Sequence, residues 1–575
     1  MKKIFIVFLS TLLLNFLFAQ NITTVFEKSN GTKTPTYFEA IDWWQKLDAT
    51  SGKVKMLTMG MSDAGYPLHF VVVANNGDHN FDNIRKNNKR VILVNNGIHP
   101  GEPDGIDASM LLARDIVINK VKLPDNVVLA IIPIYNIGGC LNRSADYRVD
   151  QNGPEEFGFR GNSQNLELNR DFIKSDSKEA RSFAEIFHLT DPDVFLDNHV
   201  SDGADYQHVM TLICTQHSKL GGALGEYLNK TFEPGLYASM KEKGYDLIPY
   251  VNAFGDTPDS GWPEFFESPR YSSGYAALWH TFSFISETHM LKPYDQRVKS
   301  TYELMKCFID FTAKNSETIK QLRDQTKQTV KIQAEFPIAW TLDRSRSSKR
   351  IYKGYTAGRK PSDVSGQSRL FYDRTKPYEK EIPFYNFYTP STLIKKPKAY
   401  VIPQGWWRVT DLLKANKVQM TQLKRDSTIE VEVYRIDDYK TAARQNEMHH
   451  INSDVKTSIT IKQIKFRKGD YYIPMNQSAN RFLIETLEPA ASDSYFAWNF
   501  FDGILGQKEG YSGYAFEDIA ADYLKNNPNL KAKLDQRVAA DTAFAKNGRA
   551  QLNFVYENSP WVEPDYLKYP VYRVR

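Results

Sequence analysis

A histidine and a carboxylate stand three residues apart in Asn95-Asn96-Gly97-Ile98-His99-Pro100-Gly101-Glu102-Pro103. An imidazole and a carboxylate presented from one tight turn, at the end of the apolar run Val91–Val94, can hold a zinc ion from the same side. The pair alone is weak, because the chain has 11 histidines and a glutamate three positions after one of them is unsurprising. Its setting strengthens it, since a Pro-Gly turn between two polar ends is poor material for a core. A catalytic zinc needs a third protein ligand and one position left to water. His199, which ends Asp193-Val194-Phe195-Leu196-Asp197-Asn198-His199, is the best candidate, although a lone histidine at a strand end is otherwise read as a hydrogen-bonded structural group.

Further chemistry lies between and after these residues. Arg160-Gly161-Asn162 and Leu168-Asn169-Arg170-Asp171 place two arginines and an asparagine in a Gly- and Asn-rich stretch without strand or helix pattern. Guanidinium groups there can grip a carboxylate through their fork geometry and can stabilise an oxyanion. A surface salt bridge is the plainer account of either arginine alone. Glu287 ends the apolar run Phe282–Ser286. Burial raises a carboxyl pKa, which suits a base that takes a proton from water and later delivers it to a leaving amine; a solvated edge glutamate is the alternative.

The elements that must position these groups are legible from periodicity. From Phe38 to about Thr329 strand-like and helix-like segments alternate: strands at Lys53–Met59, Leu68–Ala74, Arg90–Asn95, Asn126–Ile134, Asp193–Asp197, His208–Cys214 and Trp279–Ser286, and helices at Asp104–Asn119, Ser177–His188, Leu220–Lys243 and Tyr294–Asn315. This alternation predicts an α/β fold, a mixed and mainly parallel sheet with helices on both faces, whose ligands bind beyond the carboxyl ends of the strands. After about Lys331 strands, aromatics and turn signals dominate, including Val330–Phe336, Arg350–Tyr355, Ser427–Ile436, Ser458–Phe466 and Phe482–Thr486, with helices at Val409–Asn416 and Tyr514–Asn526. A β-rich, sandwich-like second half is expected, so the chain divides into 1–19, 20–329 and 330–575.

Residues Met1 to about Ala19 have the layout of a secretory signal peptide: two lysines, an apolar run too short to span a bilayer, and a small residue before Gln20. Export to the periplasm or medium is therefore expected, without stable membrane insertion. The net charge is +5, two of which come from Lys2 and Lys3 of this leader. That balance and the lack of basic runs interleaved with aromatics argue against a nucleic-acid partner. Cys140, Cys214 and Cys307 lie far apart in apolar contexts and read as buried small hydrophobes. Composition leaves the oligomeric state open.

The ordered set His-x-x-Glu, Arg, Asn-Arg, His, Glu resembles the zinc metallocarboxypeptidases of the carboxypeptidase A type, over roughly Tyr37 to Asn315. The resemblance implies one Zn2+ per chain held by His99, Glu102 and His199, with Glu287 as general base and acid. It implies that Arg160 polarises the scissile carbonyl, and that Asn169 and Arg170 hold the terminal carboxylate of a peptide. Many members have aspartate where this chain has Glu167, one methylene longer, which puts that carboxylate's contact to the first zinc histidine in question. The family's substrate-binding tyrosine falls on Tyr271 or Tyr275, with Tyr271 preferred. Arg270 stands near where the family sets side-chain preference, and either favours carboxylate-bearing groups or forms a structural salt bridge. The function implied is that of an exported zinc carboxypeptidase. Alternatives are an amidase or deacylase acting on N-acyl amino acids or peptidoglycan stem peptides, and a non-catalytic peptide- or glycan-binding protein.

Overall fold

A computed structural model describes residues 22–575. The expected signal peptide lies outside these residues. Among them no helix is long and apolar enough to cross a membrane.

Eight strands form the main sheet: β1 (Val54–Met61), β2 (Pro67–Val73), β3 (Arg90–Asn96), β4 (Val127–Ile132), β5 (Val194–Ser201), β6 (Met210–Cys214), β7 (Ile248–Pro249) and β8 (Phe282–His289). Their order is β1-β2-β4-β3-β5-β8-β6-β7. The central four, β4-β3-β5-β8, run parallel, while β1, β2 and the β8–β6 pair are antiparallel. Strands β3 and β4 are buried at every position, as expected of strands covered on both faces. One face carries helices α1 (Asp104–Val117) and, beyond the strand β8, α4 (Tyr294–Lys314); the other carries α2 (Lys178–Thr190) and α3 (Ser272–Ala277). The expected mixed, mainly parallel sheet with helices on both faces is what forms.

Two contacts fix the first turn of α1 against this sheet. A Cβ on Gly105 would meet Asn96 Oδ1 at 2.3 Å and Asn198 Cβ at 2.5 Å, so only glycine permits this approach. Beside it, Asp104 accepts from Arg297 Nε at 3.0 Å and from the Thr288 hydroxyl. Arg297 is fully buried and also donates to the carbonyls of Asn152, Gly153, Met290 and Lys292. A buried guanidinium satisfied in this way ties α4, the end of β8 and the start of α1 into one rigid corner.

Contacts divide the chain into two compact units. The first comprises the described residues up to Lys396 with Thr410–Gln419 and Met475–Ser494; the second comprises Pro397–Val409, Met420–Pro474 and Tyr495–Arg575. The expected boundary at 330 thus falls inside the first unit. The strands that follow it, β9 (Glu335–Leu342), β10 (Ser348–Pro361), β11 (Ser368–Tyr385) and β12 (Tyr388–Lys395), pair as two long hairpin-like ladders. Tyr352, Ile382 and Phe384 of β10 and β11 bury themselves against Tyr206, Ile248 and Trp262, which anchors this β segment to the loops of the main sheet.

Several expected elements differ. Helix α4 ends at Lys314 with Asn315 as its cap, close to the expected end, but Asn315 also starts a further helix, α5 (Ser316–Ile332), whose Ile319, Arg323 and Val330 are buried, so the strand expected at Val330–Phe336 begins only at Glu335. Phe482–Thr486, read as a strand, lies in helix α6 (Asn480–Leu487); a short apolar run is ambiguous when every side of it is buried. Trp279 and His280 lie in a turn before β8, which begins only at Phe282. The second unit holds a six-stranded antiparallel sheet and a group of helices between Gly513 and Glu557 around Phe516, Phe544 and Val555. The β-rich second half is therefore present as several antiparallel sheets, with helices at Pro528–Ala540 and Gly548–Glu557 that periodicity did not reveal.

Arg297→Met should destabilise the protein by about 3–5 kcal/mol, because it leaves Asp104 charged and unpaired in the interior. Urea unfolding of the variant and the parent measures this.

Candidate metal centre

The turn after β3 and the end of β5 bring His99, Glu102 and His199 together, all buried. His199 Nδ1 lies 3.2 Å from His99 Nδ1 and 3.1 Å from Glu102 Oε2, and His99 Nδ1 lies 3.2 Å from the same oxygen. Three donor atoms in a triangle of that size match the edge of a tetrahedron about a zinc ion, about 3.3 Å for bonds of about 2.0–2.1 Å. No hydrogen-bonding scheme satisfies two facing imidazole nitrogens and a carboxylate oxygen equally well. The donor set, two nitrogens and one oxygen, fits zinc.

The far side of each ligand is held. His99 Nε2 is 2.9 Å from Glu167 Oε1, and His199 Nε2 is 2.9 Å from Asp197 Oδ2. A carboxylate on the second ring nitrogen fixes the tautomer that leaves Nδ1 free for a metal. The extra methylene of Glu167 is absorbed by the short 3-10 turn at Leu168–Arg170, whose Asn169 amide donates to Glu167 Oε1 at 2.9 Å. Glu102 accepts from the Val200 amide at 2.9 Å and from Arg148 Nη1 at 2.7 Å. Burial alone would raise the carboxyls of Glu102 and Glu167. For Glu102 the neighbouring His99, Arg148 and His199 outweigh it, and for Glu167 His99, Arg160 and Arg170 do, holding both well below the usual range.

Glu287 stands in register with His199 on the adjacent parallel strand, so the two side chains share a face of the sheet. Burial pushes its carboxyl up to about 8, Glu102 adds to this, and His199, Arg148 and Arg160 oppose it. Arg160 is half exposed and reaches back to Glu167 Oε2 at 2.5 Å and Glu102 Oε1 at 3.4 Å. Next to this group, the Arg170 guanidinium sits 4.4 Å from the centre of the Tyr271 ring, and Asn169 Oδ1 accepts weakly, at 3.4 Å, from the Ser272 amide. Asn169, Arg170 and Tyr271 are thus neighbours.

Tyr275 is not among them. Its ring is buried against Phe183 and Phe187, and its hydroxyl donates to Asn416 Oδ1 at 2.6 Å. Arg270 is also committed elsewhere: its guanidinium and amide bind both oxygens of the buried Asp493, at 2.7–3.0 Å. The structural salt bridge is the reading that holds for Arg270. Sequence reasoning missed Arg148 and Asp197. Asp197 carried a signal, a carboxylate two positions before His199 and therefore on the same face of a buried strand; Arg148 lies in an irregular loop and carried none.

Residues 40–201 match the family model described as zinc carboxypeptidase. The match supports a zinc metallocarboxypeptidase, and zinc is the metal that this family uses. A search of curated proteins found no match. Among solved structures, carboxypeptidase A from Helicoverpa armigera aligns with 14% identity and a TM-score of 0.37, over 51% of this chain and 74% of that one. A metallo-carboxypeptidase from Pseudomonas aeruginosa, in complex with (2-guanidinoethylmercapto)succinic acid, aligns with 14% identity and a TM-score of 0.36, over 49% of this chain and 68% of that one.

Removing either supporting carboxylate, by Asp197→Ala or Glu167→Ala, should weaken zinc binding about 10–100-fold without removing a ligand. Competition with a chromophoric chelator measures the affinity; an unchanged value would contradict the arrangement.

Proposed function

We propose that this protein is an exported zinc metallocarboxypeptidase that removes residues from the carboxyl ends of peptides. The observation that carries this reading is the His99–Glu102–His199 triangle with Glu287 in register beside it. Zinc held there would supply a Lewis acid for a carbonyl oxygen and would acidify a water. Glu287, pushed up by burial, takes a proton from the attacking water and returns it to the leaving amine. Arg160, half exposed and one side chain from Glu102, steadies the oxyanion that develops on the scissile carbonyl.

Restriction to chain ends follows from Asn169, Arg170 and Tyr271. A guanidinium offers two parallel donors to a terminal carboxylate, Asn169 adds an amide, and the Tyr271 ring covers the guanidinium from one side. A peptide continuing beyond the bond would present a neutral amide there and leave the charge unmatched. Export rests on the leader at Met1–Ala19, and no nucleic-acid contact is invoked.

Peptides with a free carboxyl end should be trimmed and their carboxamide analogues spared. Arg170→Ala should lower kcat/KM on free-acid peptides about 10–100-fold, the magnitude of a charge-assisted hydrogen bond, and should narrow the gap to the amides. Equal cleavage of acids and amides by the parent would overturn the end-directed reading. Turnover of N-acyl amino acids or muropeptides, without peptide trimming, would move the assignment to an amidase.

A further inference from the structure

A cavity lies at the other end of the sheet from the metal centre. Its volume is about 300 Å³, and it opens between the junction of two short helices at Ser218–Ala223, α5 and α6, all within the first unit. His280 on its wall precedes β8, whose far end carries Glu287, so the strand from Phe282 separates the two regions by about 17 Å at about 3.3 Å per residue. Lys219, Arg481, Glu485 and His280 form the polar wall, and Phe336 and Trp340 form part of an apolar one.

These polar groups are incompletely used. Arg481 donates to the backbone carbonyls of Lys219 and Leu220 and makes no direct ion pair among the described residues, though Glu485, one helical turn along α6, and Glu267 both favour its charge. Glu485 is only 7% exposed, and its carboxylate has no hydrogen-bond or ion-pair partner among the described residues. His280 is 1% exposed; its Nε2 meets the Ser478 carbonyl at 3.0 Å while Nδ1 has no partner. It also holds a left-handed φ of 61°, a conformation that non-glycine residues adopt at a cost and that gathers at ligand clamps. Buried polar groups are nearly always satisfied, so His280 Nδ1 without a partner and a Glu485 carboxylate without a hydrogen bond, on one cavity wall, call for an occupant.

The chemistry of that occupant is readable. Two cations, Lys219 and Arg481, line the cavity together with the Glu485 carboxylate, which both attract but neither hydrogen-bonds, beside an aromatic wall. We propose that this cavity binds a free α-amino acid with an apolar side chain, its carboxylate toward Arg481 and Lys219, its ammonium toward Glu485, and its side chain toward Phe336 and Trp340. Burial pushes the Glu485 carboxyl up to about 7, and an ammonium beside it would restore its charge. Free amino acids are also what carboxyl-end trimming releases, so under the proposed function the cavity senses product. The binding itself does not depend on that reading.

Calorimetric titration of the full chain carrying Arg170→Ala, which disables the proposed carboxylate anchor of the metal centre, tests the site directly. The ligands are L-phenylalanine, N-acetyl-L-phenylalanine and phenethylamine. Phenylalanine should bind, and loss of either the ammonium or the carboxylate should weaken binding about tenfold or more. Glu485→Gln in the same background should bring phenylalanine down to the level of its N-acetyl analogue. No binding, equal binding of the three ligands, or unchanged affinity in Glu485→Gln would overturn the proposal, as would phenylalanine binding that the parent shows and Arg170→Ala abolishes. Should Glu485→Gln fail to fold, the three-ligand comparison decides alone.

Discussion

The register of three parallel strands is the constraint on which the centre depends. Asn96 pairs with Asn198 across β3 and β5, and His199 pairs with Glu287 across β5 and β8. Side chains alternate faces along a strand, so a slip of one residue would send His199 to the face that carries α1 and leave Glu287 without its neighbour. The pairing is locked by polar contacts as well as by the buried apolar runs. Asn198 donates to Asn96 Oδ1 at 2.8 Å, and Ser286 donates to Asn198 Oδ1 at 2.6 Å, which makes a ladder of side-chain bonds across all three strands just below the ligands.

Around that register the protein gathers charge that would be costly if it were unmatched. Glu102, Glu167 and Asp197 are carboxylates in or beside the interior, and each faces an imidazole or a guanidinium. Such groups are strongly coupled, and removing one strands the others. The same principle explains the corner built on Asp104 and Arg297, which holds the turn carrying His99 and Glu102 from behind. The ligands are thus placed by a shell of fixed partners, and Glu287 is left with burial as the main influence on its proton.

Much of this was legible in the sequence. The strand ends that present His99, His199 and Glu287 follow from short apolar runs stopped by polar residues, and alternation with helices sets the sheet type. What was not legible depended on tertiary contact. Phe482–Thr486 opens with three consecutive apolar residues and is buried throughout, which a buried helix and a buried strand share. Arg148 reaches Glu102 from a loop with no periodicity. Tyr271 and Tyr275 sit four residues apart, and the sequence could only prefer Tyr271 until packing buries Tyr275. Arg270 had two plausible roles, and Asp493, more than two hundred residues away in the chain, decides between them.

The central claim is that a zinc ion held by His99, Glu102 and His199 works with Glu287 on the carboxyl ends of peptides. Its most direct test is zinc content measured together with mass-spectrometric analysis of a peptide library, for the mature protein and for Glu287→Gln. The account predicts one zinc per chain in both proteins, with stepwise loss of single carboxyl-terminal residues in the parent only. Undiminished trimming by Glu287→Gln, or trimming by a protein that binds no zinc, would contradict it.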